Sequence, residues 1–413
     1  MKAVVAIFEQ LVPISGGGTP RTWHIVRSLV RRGHQVYVAA AYGVDPATAR
    51  QELGCAGVLS LPHVSRLDRR KMLKYLFVYP WNILGLALYI WRIKPDVVVS
   101  HNSVTGFGAL VGCRVQSGTV TVLDLTDLLF EYLESYSNRW IQPVLALGRA
   151  LERYTLRNSD RIVTISKAMR SILLSDYQVN ESKVDIVHDG VDCSVFHPQE
   201  ASALRNQVAP WAQHVCILHG VIDPQDGPEV LVEAAPMVLS RFPKTAFWWV
   251  GDGAAVPEVR ARADQLKLSD HFFFSGWVRQ VQVTEYINAS DLGIVVLPDI
   301  LSARGRVTLK EFEYWACGKA VVLPRLPALQ EIIPEGEASL FFTPGDAEDL
   351  AEKICTLLAD NERRNEMGRN GRQMVLDRFE WRVLTDELAQ LCESYAAQQA
   401  AQRVARAESG GTT

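Results

Sequence analysis

The chain has 413 residues, 48% hydrophobic and 22% charged, enough for two or three globular domains and incompatible with a disordered or fibrous protein. Its net charge of -3 gives no general reason to expect nucleic acid as a partner. The charge is uneven, however: residues 1–195 carry 22 Lys and Arg against 16 Asp and Glu, and the remainder carries 21 against 30, which suggests two domains with different partners.

After Met1-Lys2 the first apolar run is only Ala3–Phe8, short for a signal peptide and right for a buried first strand. Further strand-like runs follow at Gln35–Ala40, Asp96–Ser100, Thr119–Asp124, Arg161–Ile165 and Lys183–Val187. The second half repeats the pattern at His214–His219, Thr245–Val250, His271–Phe274, Leu292–Leu297, Ala320–Leu323 and Ser339–Phe342. Several are continuous apolar runs, as strands buried on both faces should be, and helical patterns separate them. The expected fold is therefore α/β, two facing Rossmann-like domains. An Asp-Gly turn and Pro198 mark the boundary, giving a first domain at 1–190 and a second at 191–378. A carboxyl-terminal helix is expected at 379–395, packing back on the first domain. Residues 396–413 lose apolar periodicity and read as a frayed tail.

The seven cysteines are never closer than the 23 positions between Cys193 and Cys216. Such spacing offers no zinc site, and the odd count argues against a disulfide framework, so a cytoplasmic location is expected. The stretch Tyr75–Trp91 lacks formal charge for 17 residues, short of the roughly 20 that a membrane span needs. Basic residues flank it, so segment 66–94 reads either as a pair of helices covering a sheet or as a surface for an anionic membrane at the inner face.

In open α/β sheets ligands bind beyond the carboxyl ends of the strands, so the loops there hold the candidates. After the first strand, Gly16-Gly17-Gly18 precedes a helix carrying Arg21. Glycines there let backbone N–H groups approach an anion. The spacing is not that of a dinucleotide fingerprint, because Arg21 stands where the third glycine would be. His101 follows the third of these strands and Asp127 the fourth. Asp127 reads as a base or acceptor-binding carboxylate, or else as a helix N-cap; His101 reads as catalytic or as a hydrogen-bonded structural group. In the second half, Arg304, Arg306 and Lys310 lead into a helix bearing Glu313. Lys310 and Glu313, three apart, share one helix face, where a cation can meet a diphosphate and a carboxylate can accept ribose hydroxyls. No Asp-x-Asp occurs, so no metal is expected to hold the diphosphate and no cofactor is implied.

These residues resemble the family-4 retaining glycosyltransferases of the glycosyltransferase-B fold. The likeness runs through Gly17-Gly18, Arg32-Gly33-His34-Gln35-Val36, Ser159–Ser166 and Asp189-Gly190-Val191-Asp192 with Phe196-His197-Pro198. It continues through Val250–Gly253, Phe274–Val278, Ala289-Ser290-Asp291 and Glu313–Lys319. The resemblance implies transfer of a sugar, with retention, from a nucleotide sugar bound by the second domain to a glycan or lipid-linked acceptor bound by the first. Carried over, Glu313 holds the ribose, Gly276 and Val278 line the base, and Gly220, Arg306 and Lys310 face the diphosphate, with Gly17, Gly18 and Arg21 completing the donor set. Asp127–Glu131 is similar to the Asp-Leu-Trp-Pro-Glu of members that build bacterial surface glycans.

The sequence also departs from the family. Gly305 stands where the first of two glutamates would be, Gly220 is followed by Val221 instead of arginine, Asp226 replaces a lysine, and Leu123 replaces a histidine. Some members lack the first glutamate and keep a lysine three before the second, which favours a divergent active transferase using Arg304, Arg306 and Lys310. The competing readings are a catalytically degenerate scaffold subunit and a sugar-nucleotide epimerase of the same fold.

Overall fold

The alternating pattern folds into two parallel sheets in the computed structural model, which describes residues 1–14, 18–64, 71–114, 118–132 and 142–410. The chain divides into two units, one formed by Met1–His188 with Trp381–Thr413 and the other by Asp189–Glu380. Gly17 and the basic run at 66–70 lie outside the described residues.

Among the described residues of the first unit, seven strands form one sheet: β1 (Lys2–Val12), β2 (Gln35–Tyr42), β3 (Gly57–Ser60), β4 (Val97–His101), β5 (Val120–Leu125), β6 (Arg161–Thr164) and β7 (Val184–Ile186). Their order is β3-β2-β1-β4-β5-β6-β7, all parallel. β4 and β5 are buried at every position, as central strands covered on both faces must be. The chain moves outward from β1 to β3 and then returns to the other side of β1. The loops leaving β1 and β4 therefore diverge and open a crevice at that switch point.

The second unit repeats the plan with β8 (His214–His219), β9 (Thr245–Val250), β10 (Phe272–Phe274), β11 (Leu292–Ile294), β12 (Ala320–Pro324) and β13 (Ser339–Phe342), ordered β10-β9-β8-β11-β12-β13. Its switch point lies between β8 and β11. Trp248 and Trp249 are both fully buried, although neighbours on a strand point to opposite faces. Trp249 joins the apolar cluster with Phe247 and Phe272, while Trp248 meets Phe273 and Tyr286 at ring distances of 6.0 and 5.9 Å. Both faces of β9 are thus covered.

Four expectations are corrected. β3 has no counterpart in the sequence reading, because Gly57–Ser60 is a half-exposed edge strand without an apolar run. Residues 71–93 form one 23-residue helix, Lys71–Ile93, with Pro80 inside it, instead of the pair of helices that was one reading of segment 66–94. Leu86 and Ile90 bury its inner side, and that packing outweighs the hydrogen bond the proline removes. The boundaries fall at His188/Asp189 and Glu380/Trp381. Residues 396–410, read as part of a frayed tail, continue the helix Trp381–Gly410. Ala, Gln, Arg and Glu are strong helix formers, and missing apolar periodicity marks a solvent-facing helix as readily as a coil.

That last helix packs on the helix Thr19–Arg31 of the first unit. Glu393 receives two hydrogen bonds from Arg32, at 2.8 and 2.6 Å, and lies 2.7 Å from His34 Nε2. Arg32 and then His34 offset burial and hold the Glu393 carboxyl at about 2. No helix among the described residues is long and apolar enough to cross a membrane.

Candidate active site

At the switch point of the second unit, β8 ends at His219 and the chain turns through Gly220. Gly220 has φ 106°, and a Cβ there would sit 3.0 Å from Lys310 Cε. Only glycine combines that conformation with room for the lysine. The neighbouring turn after β9 is equally restricted. Gly251 has φ 139°, and a Cβ on it would lie 2.0 Å from the Gly220 carbonyl oxygen. Backbone therefore packs on backbone, and the cation beside it belongs to a fixed surface.

Lys310 lies in the first turn of the helix Leu309–Ala316. Thr308 and Glu311 form a capping box, with Thr308 N–H donating to Glu311 Oε1 at 2.6 Å. Glu311 is thus spent on fixing the helix start, beside a partly exposed Lys310 and a buried Glu313. Arg306 Nη1 donates to Asp226 Oδ1 at 3.0 Å, and Lys310 Nζ stands 3.9 Å from the other oxygen of that carboxylate. Two partly exposed cations and one buried carboxylate form one cluster. Arg304, expected to join them, pairs instead with Asp299, both about half exposed.

Glu313 Oε2 lies 3.2 Å from His219 Nε2, and the Gln280 side chain beside the same carboxyl favours its charged form. Burial, with repulsion from Glu311, pushes Glu313 up to about 8. Burial, and then Lys310, pushes His219 down to about 3. At neutral pH a protonated carboxyl therefore meets a neutral imidazole rather than forming an ion pair. Gln280 opens the helix Gln280–Ala289, directly after the loop holding Gly276 and Val278. Gly276 has φ 67° and bridges to Gly251, while Val278 is half-buried. The structure so brings together Gly220, Arg306, Lys310 and Glu313 and reaches the 276–278 loop through Gln280.

The first unit builds a different cluster at the ends of β1, β4 and β5. Arg21 donates through Nε to both oxygens of Asp124, at 2.8 and 3.1 Å, and through Nη1 to the His188 carbonyl at 2.8 Å. Burial pushes the Asp124 carboxyl up, but Arg21 and His101 more than offset it and hold the group below its ordinary value. His101 Nδ1 lies 3.3 Å from Asp124 Oδ2, and a Cβ on Gly18 would stand 1.9 Å from His101 Nε2. Gly18 is thus required by the imidazole alone, its φ of -73° being open to any residue. Asp127 is half-buried, two residues before the helix Leu129–Tyr132, and its N–H points to Asn102 Oδ1 at 3.4 Å.

Three contributors have no role assigned to them in the sequence reading. Asn102, at φ 59°, receives the Thr126 N–H at 3.1 Å and so pins the loop that carries Asp127. Glu152 is fully buried and accepts from Ser103 Oγ at 2.8 Å and Leu129 N–H at 3.2 Å, and burial raises it to about 7. A glutamate within the inward stripe Leu145, Gly148, Glu152, Thr155 was the available signal. His219, an imidazole ending a strand just before a glycine turn, was the third.

The comparisons follow this geometry. Residues 15–195 match the model described as Glycosyltransferase Family 4, and residues 213–360 match the model described as Glycosyl transferases group 1. The chain belongs to these glycosyltransferases of the glycosyltransferase-B fold. It is 26% identical to the sulfoquinovosyl transferase SQD2 of Arabidopsis thaliana over 95% of its own length and 73% of that protein. It is 28% identical to the D-inositol 3-phosphate glycosyltransferase of Mycolicibacterium smegmatis over 52% of its length, and spans about half (48%) of that relative. Among solved structures, HepE of Anabaena in complex with UDP-glucose superposes with a TM-score of 0.72 at 18% identity, covering 95% of this chain and 100% of that one.

Proposed function

We propose that the protein transfers a sugar, with retention and without a metal ion, from a nucleotide-diphosphate donor to a glycan or lipid-linked acceptor of a surface polysaccharide or glycoconjugate. One observation carries the reading: Lys310 and Arg306 stand together beside the Gly220 turn, with Glu313 three residues further along the same helix. Cations held beside a departing diphosphate stabilise charge where it develops, and a rigid turn holds the donor in place. That HepE is solved with UDP-glucose supports a nucleotide sugar as the donor. In this reading Glu313 accepts the ribose hydroxyls, and the first unit positions the acceptor through Asp127 and His101.

The acceptor end would lie at an anionic lipid surface. The helix Lys71–Ile93 exposes Phe77, Trp81, Leu84, Leu88 and Trp91, by 50 to 70%, on one stripe. Exposed Arg92 and Lys94 stand at its end. A second reading, the degenerate scaffold, is favoured by Asp226, which engages both cations.

Incubation with UDP-, GDP-, ADP- and TDP-sugars in EDTA tests the first reading. The expected outcome is slow release of one nucleoside diphosphate, with the sugar freed in the donor's anomeric configuration. No release from any donor in EDTA, with release restored by magnesium, would remove the metal-free part. No release under either condition would support the scaffold.

A further inference from the structure

Asp226 lies in the short turn Pro224–Asp226, closed by its own N–H donating to the Asp223 carbonyl at 3.0 Å and by Gly227 in the left-handed region. Pro224 and Pro228 flank it and restrict the backbone of the turn, and the residue is 5% exposed. It sits 3.0 Å from Arg306 and 3.9 Å from Lys310. The cluster therefore carries two positive charges and one negative before any ligand arrives.

We infer that Asp226 is a resident counter-ion of the donor site: it holds Arg306 and Lys310 in position while the site is empty, and it weakens the site's grip on a nucleoside diphosphate. The inference rests on the reading of this unit as a nucleotide-sugar site. An arriving diphosphate competes with the carboxylate for the same N–H donors, and the carboxylate, fixed in its turn, remains as a like charge beside the phosphates. The consequence falls most heavily on the product, whose diphosphate carries more charge than the esterified donor. Asp226 thus favours product release, and the replaced lysine of the resembling family marks a change of binding strength rather than a loss of function.

Calorimetric titration of the full chain and of Asp226→Asn against UDP, GDP, ADP and TDP tests this. The expected result is that the nucleotide bound by the unaltered protein binds Asp226→Asn about tenfold tighter, with no gain for the corresponding nucleoside, while Asp226→Glu retains the original affinity. Removing the counter-ion could unfold the unit. Arg306→Gln and the double variant Arg306→Gln/Asp226→Asn therefore provide a charge-balanced comparison, in which the double variant should bind more tightly than the single one. Unchanged or weaker binding in Asp226→Asn, with the protein folded by thermal melting, would overturn the inference while leaving the donor site standing. Binding of no nucleotide by any of the proteins would overturn the donor-site reading and this inference with it.

Discussion

Each unit sets cationic side chains beside the carboxyl ends of its central strands, and the two do so in opposite ways. In the first, Arg21 and Asp124 are a matched pair, 2% and 1% exposed, with His101 against the same carboxylate. In the second, Arg306 and Lys310 share one carboxylate and keep 19% and 13% exposure. A fully enclosed, balanced pair has no charge left to offer a ligand and fixes geometry instead. A partly open cluster with surplus positive charge has both the access and the field to meet an anion.

The contrast can be broken most severely at Arg21. Replacing it by Ala leaves Asp124 charged and buried, which should cost about 3–5 kcal/mol of stability. Urea denaturation checks this, and a loss under about 1 kcal/mol would mean the pair is not structural. Next, Lys310→Ala should weaken nucleotide binding roughly 10- to 150-fold, the equivalent of about 1.5–3 kcal/mol for a charge-assisted hydrogen bond, and Glu313→Ala, which removes a neutral carboxyl, by a smaller factor of roughly 2- to 13-fold per hydrogen bond, about 0.5–1.5 kcal/mol. Titration calorimetry reads it.

A third effect is pH-dependent. The folded protein holds Glu313 protonated up to about 8, against an ordinary 4.5, so folded chains bind a proton that unfolded ones release. Its contribution is complete below about pH 4.5 and is lost as pH rises through about 8. Glu313→Gln should flatten the fall of melting temperature between those limits, and parallel curves would contradict the burial argument. The smallest effect is expected at Arg304, whose ion pair with Asp299 is solvent-exposed. Arg304→Gln should leave both melting temperature and nucleotide affinity unchanged, and a clear loss of affinity would return Arg304 to the site.

Strands buried on both faces were legible because continuous apolar runs such as Val97-Val98-Val99 have no other use at that length. That Lys310 and Glu313 lie together on one helix was legible too, from their spacing alone. Partner choice was not. Asp226 and Arg306 are 80 positions apart, and Arg21 and Asp124 are 103 apart, so only the folded sheet reveals which charge answers which. The helix at 71–93 was illegible in a different way: one helix or two depended on the apolar contacts of Leu86 and Ile90, which lie beyond any local window.

The central claim is that the second unit is a working nucleotide-sugar site built on Lys310 and Glu313. Titrating the purified protein, without metal, against UDP, GDP, ADP and TDP addresses it most directly. The predicted result is micromolar binding of one nucleotide, weakened in Glu313→Ala. Absence of binding by all four, from protein shown to be folded, would contradict the claim and leave the chain as a scaffold of the same fold.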